Sequence, residues 1–173
     1  VANLGLAYAL DGRKTVLIDG DLRNPQLHKL FELDRAKGLT DYLRGEAALE
    51  EILKPVAHHS NLVVITAGSS TANPTELLGT IRLDHLLLDI RRHASFVICD
   101  SAPILFISDG LIFASKMDAC LIATRMRKSY LKATKNALGQ LLRIKAPIAG
   151  VVVNGCSFSG SYYPYYYDYH SYS

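Results

Sequence analysis

Five short apolar runs alternate along this chain with segments of helical spacing, and this alternation constrains the fold more than any other feature of the sequence. A strand that is buried on both faces forms a continuous apolar run, because helices cover both sides of a parallel sheet. Strands that alternate with helices are joined by right-handed crossovers. The pattern therefore predicts an α/β fold, in which a doubly wound, mainly parallel sheet is flanked by helices. The predicted strands are Thr15–Asp19, Leu62–Thr66, Phe96–Asp100, Ala119–Thr124 and Ile148–Asn154.

Eight segments outside these strands are predicted to be helices. Most contain apolar residues at helical spacing, and Pro74 suits the first turn of a helix. The first segment has neither a start methionine nor an N-cap residue before Val1, so the sequence is expected to begin inside a helix. The predicted helices are Val1–Leu10, His28–Phe31, Leu39–Leu43, Ala47–Leu53, Pro74–Leu78, Leu83–His93, Leu111–Ser115 and Leu131–Ile144.

Composition and charge exclude several classes of protein. At 173 residues the chain is long enough for one domain with a full core. No apolar run approaches the roughly 18 residues of a membrane-spanning helix, and no signal peptide is recognisable, so the segment is expected to be soluble. A formal charge of +3 on scattered Lys and Arg side chains argues against nucleic acid as a partner. Cys99, Cys120 and Cys156 lie in or beside apolar runs without close pairing, which predicts reduced core thiols in a cytosolic protein.

The end of the chain has a different composition. Seven of the ten tyrosines lie within the last twelve residues, and no aliphatic residue follows Phe158. The segment has neither strand nor helix periodicity, which predicts a domain over residues 1–156 and a flexible, disordered tail over residues 157–173. Two interpretations of the tail remain open: acceptors for phosphorylation, or an adhesive low-complexity segment in which tyrosine only stacks. The tail tyrosines are Tyr162, Tyr163, Tyr165, Tyr166, Tyr167, Tyr169 and Tyr172.

Two predicted strands end in aspartate, at the sheet edge where open α/β sheets bind ligands. Asp19 closes one strand, Asp100 closes another, and Asp21 follows Asp19 across a glycine. A carboxylate at the tip of an apolar strand is the Walker B arrangement, which holds Mg²⁺ beside nucleotide phosphates. One such aspartate alone would more simply be explained as a helix cap or the start of a turn. The pair favours a site for Mg²⁺ and a nucleotide.

The segment Asp19-Gly20-Asp21-Leu22-Arg23-Asn24-Pro25 resembles the Walker A′ motif of the bacterial tyrosine kinases, P-loop enzymes that are unrelated to eukaryotic protein kinases. The resemblance covers nearly the whole chain and ends in the tyrosine cluster that such kinases carry. The combination of Walker A′, Walker B and terminal tyrosines is specific. The other segments that carry the resemblance are Asn73–Leu78, Phe96–Pro103, Ser108–Gly110, Met117–Ala119 and Ala149–Asn154.

This resemblance implies a P-loop NTPase-like fold and an ATP-dependent tyrosine autokinase that regulates capsular or exopolysaccharide synthesis and export. Asp21 and Asp100 would hold Mg²⁺, and Asp19 would accept or position the proton of the attacking phenol. Arg125 would contact the nucleotide and Asn154 its adenine, although an arginine can simply be solvated and an asparagine can form a turn. The seven tail tyrosines would accept the phosphate.

The resemblance also implies partners and a location. A tail that leaves the last strand must turn back sharply to reach its own active site, so transfer between neighbouring subunits of a homo-oligomer is expected. A membrane polysaccharide co-polymerase domain, fused upstream or encoded separately, would hold the kinase in the cytoplasm at the inner face of the plasma membrane. A tyrosine phosphatase would remove the phosphate.

One motif of the family is missing from the sequence. P-loop enzymes need G-x-x-x-x-G-K-[ST], whose backbone amides and lysine hold the phosphates. The string Gly12–Thr15 lacks the first glycine and precedes a strand instead of following one. In the family the P-loop lies directly before a helix that resembles residues 1–10. The sequence is therefore expected to be a piece that begins just after the P-loop and that, alone, binds ATP poorly and is inactive.

Several side chains have two interpretations. Arg23 could face phosphate or form a salt bridge, and Asp109 could cap a helix or support the site from behind. His58 and His59 could bind a metal only with a third ligand, which the sequence does not offer nearby. Two other functions fit part of the pattern: a partitioning-type ATPase, which has no use for a tyrosine tail, and a catalytically inactive adaptor of a polysaccharide export complex.

Overall fold

The computed structural model describes residues 1–156, so the seven tail tyrosines lie outside the described residues. The chain forms two compact units, Val1–Met117 and one that begins at Asp118. The first unit contains the helices α1 (Ala2–Leu10), α2 (Leu27–Leu30), α3 (Leu39–Arg44), α4 (Leu49–Ile52), α5 (Pro74–Leu78), α6 (Ile81–Arg91) and α7 (Asp109–Ala114). Its strands are β1 (Thr15–Gly20), β2 (Lys54–Val56), β3 (His59–Ile65) and β4 (Phe96–Ser101). The second unit contains β5 (Cys120–Arg125), α8 (Leu131–Arg143) and β6 (Ile148–Asn154).

The first unit is organised around a four-stranded sheet with the strand order β2-β3-β1-β4. β1 lies inside the sheet and runs parallel to both β3 and β4. β2 runs antiparallel to β3 at one edge. In the second unit, β5 and β6 form a separate parallel pair. The predicted α/β fold with a mainly parallel sheet is confirmed.

β1 is buried along its whole length. Successive side chains of a strand point to opposite faces of the sheet, and those of β1 alternate between two apolar clusters. Val16 and Ile18 pack on one face with Leu86 of α6, whereas Leu17 packs on the other face with Ala9 of α1. Helices therefore cover both faces of the strand, as its uninterrupted apolar sequence predicts.

α1 lies very close to β1. A Cβ atom built on Gly5 would be 2.5 Å from Cδ2 of Leu17, so no larger residue fits at this contact without a shift. The backbone nitrogen of Val1 lies close enough to Asp100 for an electrostatic interaction. The start of α1 therefore lies near the end of β4, at the carboxyl edge of the sheet.

The strand β2 is the element that sequence analysis missed. The sequence predicts a helix through Leu53, but α4 ends at Ile52 and the next residues pair with β3. Pro55 conceals this strand, because proline has no N–H for a strand ladder and occurs in sheets at their edges. With β2 as its partner, β3 begins at His59, earlier than its predicted start at Leu62.

In the second unit, α8 lies against β5 and buries Ala137 and Leu141. The exposed thiol of Cys156 contradicts its predicted place in the core, whereas Cys99 and Cys120 are partly buried and burial raises the pKa of both thiols. None of the helices within residues 1–156 is long and apolar enough to cross a membrane.

Candidate active site

The two strand-ending aspartates are neighbours. Asp19 and Asp100 are Cα partners in the parallel pairing of β1 with β4, so both strands deliver a carboxylate to the same edge of the sheet. Asp21 follows two positions after Asp19, and its charge acts on both of the other carboxylates. The structure thus brings together the three aspartates that the sequence predicts as catalytic and metal-binding residues.

Asp19 is fully buried, and the start of α2 holds one of its oxygens. Its Oδ2 accepts hydrogen bonds from the backbone N–H groups of Gln26, at 3.0 Å, and Leu27, at 2.9 Å. Its Oδ1 is also buried but accepts no hydrogen bond from the described residues. Buried polar atoms are nearly always paired. The carboxylate is therefore fixed in orientation, and one of its buried oxygens has no hydrogen-bond partner among residues 1–156.

The electrostatic environment of Asp19 opposes its ionisation. Burial raises the pKa of Asp19 to about 6, and the negative charges of Asp100 and Asp21 add to the rise, against the backbone N–H groups of Leu27 and Gln26. A carboxylate with such a pKa can accept a proton near neutral pH, which is the property of a general base.

Asp100 shares this environment. Burial raises the pKa of Asp100, and the charge of Asp21 adds to the rise, whereas the backbone N–H of Ser101 opposes it. Like charges that share a site disfavour their common ionisation. A cation placed among these carboxylates would relieve that repulsion.

The donor set fits Mg²⁺ in the form that accompanies a nucleotide. Within residues 1–156, no three or more His, Cys, Asp or Glu side chains form a ready-made metal cage. Magnesium usually takes one or two carboxylates and completes its shell with water and substrate phosphates. Asp21 and Asp100 can supply those carboxylates.

The glycine between Asp19 and Asp21 is required by packing. A Cβ atom on Gly20 would lie 2.5 Å from Cε2 of Phe113 and 2.6 Å from the carbonyl oxygen of Asp100. The backbone at this position is therefore pressed between α7 and the end of β4. Beyond it, Oδ1 of Asp21 accepts hydrogen bonds from the backbone N–H groups of Arg23, at 3.2 Å, and Asn24, at 2.9 Å.

Arg23 forms a salt bridge, the second of its two predicted alternatives. Its Nε donates to Oδ2 of Asp109 at 2.9 Å, and its Nη2 donates to Oγ1 of Thr75 at 3.2 Å. The Thr75 hydroxyl in turn donates to Oδ1 of Asp109 at 2.5 Å. Asp109 is the first residue of α7, after the N-cap Ser108, and its side chain is fully buried. It supports the loop that follows β1 instead of capping its helix.

Sequence analysis missed two polar side chains at the same edge. The hydroxyl of Thr66 is buried and has no partner among residues 1–156. Ile18 of β1 pairs with Ile65 of β3, and the two strands are parallel. The next residues along the two strands, Asp19 and Thr66, therefore lie side by side at the carboxyl edge of the sheet. Nothing in the sequence distinguishes this threonine from an ordinary strand residue.

Asp41 is the second missed residue. Its Oδ2 accepts hydrogen bonds from the backbone N–H groups of Gly38, at 2.7 Å, and Ser69, at 3.1 Å. Burial alone would raise the pKa of Asp41, but the hydrogen bonds from Ser69 and Gly38 outweigh it and hold the pKa below its ordinary value. Asp41 thereby joins α3 to the loop after β3, which has a positive φ of 81° at Gly68.

The two candidates for nucleotide contact lie together in the second unit. Arg125 and Asn154 are Cα partners at the ends of β5 and β6, and both are exposed. The carbonyl oxygen of Asn154 accepts a hydrogen bond from the N–H of Met126 at 2.8 Å. His58 lies in the turn between β2 and β3, at a positive φ of 62°, and His59 begins β3. The tail tyrosines lie outside the described residues.

Comparison with known proteins gives a consistent picture. The chain is 30% identical over 167 residues to the putative tyrosine-protein kinase CapB of Staphylococcus aureus, which covers 95% of this chain and 73% of CapB. It is 32% identical over 161 residues to the tyrosine-protein kinase ptk of Acinetobacter johnsonii, and this match covers 93% of the chain but only 22% of ptk. No protein-family model matches the chain.

Solved structures agree with these relatives. The kinase domain of the Escherichia coli tyrosine kinase ETK superposes with a TM-score of 0.87 and 29% identity, over 93% of this chain and 64% of that one. The cell division ATPase MinD of Pyrococcus furiosus superposes with a TM-score of 0.72 and 23% identity, over 91% of this chain and 66% of that one, which shows a shared fold alone. The predicted P-loop NTPase-like fold is confirmed. From its identity to relatives such as CapB, over most of both chains, we conclude that the chain belongs to the bacterial tyrosine-protein kinases.

Proposed function

We propose that this chain is the catalytic part of an ATP-dependent tyrosine autokinase, with the cluster of tyrosines in residues 157–173 as its substrate. The observation that best supports this proposal is the pairing of Asp19 with Asp100, in which a buried carboxylate oxygen that has no hydrogen-bond partner within residues 1–156 lies beside a second carboxylate. Phosphoryl transfer depends mainly on alignment and on neutralisation of charge, and both requirements fall on these residues.

In this proposal the aspartates have distinct roles. Asp21 and Asp100 hold Mg²⁺, which when bound neutralises the charge on the phosphates of ATP. Asp19 accepts the proton of a tyrosine hydroxyl through its Oδ1. The phenolic oxygen forms a bond to the γ-phosphorus as the bond from that phosphorus to the bridging oxygen of ADP breaks. The products are phosphotyrosine, ADP and a protonated Asp19, which returns its proton to water. Arg125 and Asn154 contact the nucleotide and its adenine.

We also propose the biological setting of this activity. The kinase controls capsular or exopolysaccharide synthesis and export, in keeping with the capsule-related names of relatives such as the tyrosine-protein kinase CpsD of Streptococcus pneumoniae. It works in the cytoplasm at the inner face of the plasma membrane, where a polysaccharide co-polymerase domain, fused or separate, recruits it. Its copies assemble into a homo-oligomer and phosphorylate one another, and a tyrosine phosphatase reverses the modification.

The test is autophosphorylation of the full-length protein with ATP and Mg²⁺. We expect phosphotyrosine in the wild type and its loss in Asp100→Asn. A matched control is Asp11→Asn, which alters an exposed aspartate in the turn after α1 and should leave the signal unchanged. Absence of phosphotyrosine in the wild type, or an undiminished signal in Asp100→Asn, would contradict the proposal. ATP hydrolysis without labelling would instead indicate a partitioning-type ATPase, and absence of nucleotide binding an inactive adaptor.

A further inference from the structure

We propose that Arg23 and Asp109 are positioning residues that set the place of Asp21 relative to Asp100, and that Arg23 does not bind phosphate. This inference rests on the proposed function of the site. It concerns the contacts among Arg23, Asp109 and Thr75, which we call the α7 clamp.

The first argument is the burial of Asp109. Its carboxylate is fully buried, and both oxygens are engaged, one by Arg23 and one by Thr75. A buried carboxylate that loses its cation becomes an uncompensated charge in an apolar environment, which is strongly unfavourable. Arg23 is therefore committed to Asp109 and is not available to a substrate phosphate.

The second argument is the connection from Arg23 to Asp21. The side chain of Arg23 is anchored on α7, while its backbone N–H donates to Oδ1 of Asp21. The same Asp21 oxygen accepts the N–H of Asn24. Movement of the Arg23 anchor would therefore move the carboxylate that is proposed to hold Mg²⁺.

The third argument is that α7 contacts this loop at two points on one face. Asp109 and Phe113 are four positions apart, a spacing that places them on the same side of a helix. Asp109 holds Arg23, and the ring of Phe113 lies against Gly20. These two contacts lie on either side of Asp21 in the sequence, so α7 holds the loop in place on both sides of that residue.

The fourth argument is that α7 is itself fixed to the strand that carries Asp100. A Cβ atom on Gly110 would lie 2.4 Å from Cγ2 of Ile104 and 3.0 Å from the carbonyl oxygen of Ala102, both in the segment that follows β4. The helix thus contacts the loop of Asp21 with one set of atoms and the continuation of β4 with another. The spacing of the two carboxylates depends on α7.

The experiment titrates Mg²⁺ into full-length protein in the presence of a fluorescent ADP analogue, and measures the Mg²⁺ concentration at half-maximal nucleotide binding. We expect Arg23→Gln and Asp109→Asn each to raise this concentration by about tenfold or more, the effect typical of residues that orient metal ligands. The double variant should show no larger shift than the stronger single variant, because both changes break one contact. Nucleotide affinity at saturating Mg²⁺ should be unchanged.

The direction of the Arg23→Gln effect is diagnostic. Removal of a positive charge near carboxylates would by itself strengthen Mg²⁺ binding, whereas loss of positioning weakens it. Arg23→Lys, which keeps the charge beside Asp109, should restore most of the lost affinity. The matched control is Arg13→Gln, which breaks an exposed arginine–aspartate pair and should have no effect.

If Arg23 instead bound a substrate phosphate, the variants would behave differently. Arg23→Gln would weaken nucleotide binding even at saturating Mg²⁺, and Asp109→Asn would not. That result, or tighter Mg²⁺ binding in Arg23→Gln, overturns the proposal.

Two features keep the test decisive. If Asp109→Asn does not fold, Thr75→Val can replace it, because this change removes one hydrogen bond to the same carboxylate without changing the shape of the side chain. We expect Thr75→Val to shift the Mg²⁺ concentration in the same direction. Unchanged Mg²⁺ dependence in both Thr75→Val and Arg23→Gln overturns the proposal. Nucleotide binding needs no phosphoryl transfer. A wild type that binds Mg²⁺ and nucleotide but forms no phosphotyrosine therefore contradicts the proposed function and still reports on the α7 clamp.

Discussion

Gly20 lies directly against the ring of Phe113. A Cβ atom added to Gly20 would be only 2.5 Å from Cε2 of that ring. The contact joins the loop that carries Asp19 and Asp21 to α7. It explains why a glycine separates the two aspartates without any need for unusual backbone freedom, since Gly20 is not among the positions of positive φ.

Gly20→Ala should therefore damage both stability and function. Overpacking of a filled core typically costs about 1–3 kcal/mol, and here it would also displace the two flanking carboxylates. Urea unfolding and autophosphorylation should both show the loss. Gly139→Ala is the matched control, because nothing lies within 4 Å of a Cβ atom there and α8 should gain stability from alanine. Equal behaviour of the two variants would disprove the packing argument.

The raised pKa of Asp19 predicts that the free energy of unfolding falls as pH rises. Asp19 has a folded-state pKa of about 6 against an ordinary value of 3.8, so between these values the folded chain binds the extra proton and is favoured at the acid end. Full ionisation above this window would cost up to about 3 kcal/mol. Urea unfolding from about pH 4 to about pH 8 should show this decline in the wild type and a smaller one in Asp19→Asn.

Two further results bear on the same prediction. Mg²⁺ with a nucleotide should restore much of the stability lost above pH 6, because a bound cation offsets the repulsion among the carboxylates. Autophosphorylation should weaken only at a lower pH than this, because bound Mg²⁺ favours the ionised form of Asp19 and a protonated Asp19 cannot accept the phenolic proton. A wild type whose stability is flat across this pH range, and identical to that of Asp19→Asn, would show that Asp19 titrates normally.

Asp41→Ala should destabilise the loop after β3. The substitution leaves the N–H groups of Gly38 and Ser69 without their acceptor, and an unsatisfied buried donor costs about 1–3 kcal/mol. Urea unfolding measures the loss. Asp34→Ala is the control, since the exposed carboxylate of Asp34 accepts the N–H of Ala36 in a surface turn, and its loss should change stability far less. Similar losses in both variants would mean that Asp41 has no special role.

The alternation of strands and helices, and the place of two aspartates at the carboxyl edge of a mainly parallel sheet, could be predicted from the sequence, because apolar runs such as Val16–Ile18 indicate burial on both faces. The order of the strands and the direct pairing of Asp19 with Asp100 could not. The ion pair between Arg23 and Asp109 could not, since it joins residues 86 positions apart and each has an ordinary local explanation. The short strand β2 was hidden by Pro55. These features depend on which helices, strands and loops come into contact in the fold, and the local pattern of residues in the sequence does not predict such contacts.

Tail phosphorylation should occur between subunits. A mixture of a catalytically inactive chain that keeps residues 157–173 and an active chain that lacks them should label the inactive chain. Asp100→Asn supplies the inactive partner. Labelling confined to intact, active chains would refute transfer in trans.

Phosphorylation should also loosen the oligomer. Each phosphotyrosine adds about −1.5 to −2 charges near pH 7, so the seven tail tyrosines together would add roughly −10 to −14, far more than the formal charge of +3 can offset. Phosphorylated tails should then be repelled from a neighbour's carboxylates, such as Asp21 and Asp100. Light scattering before and after autophosphorylation, at low and high salt, measures the change in mass. An unchanged mass in every condition would rule out a charge switch.

The edge strand β2 has a consequence for how copies of this protein can associate. Pro55 lacks an N–H and stands in the outermost strand of the four-stranded sheet, so at that edge a strand from a second molecule would meet an interrupted ladder. Continuous strand-to-strand joining, the route by which parallel sheets grow into insoluble fibres, is disfavoured on this side. Any contact between copies at this edge would then depend on side chains instead of on a shared strand ladder.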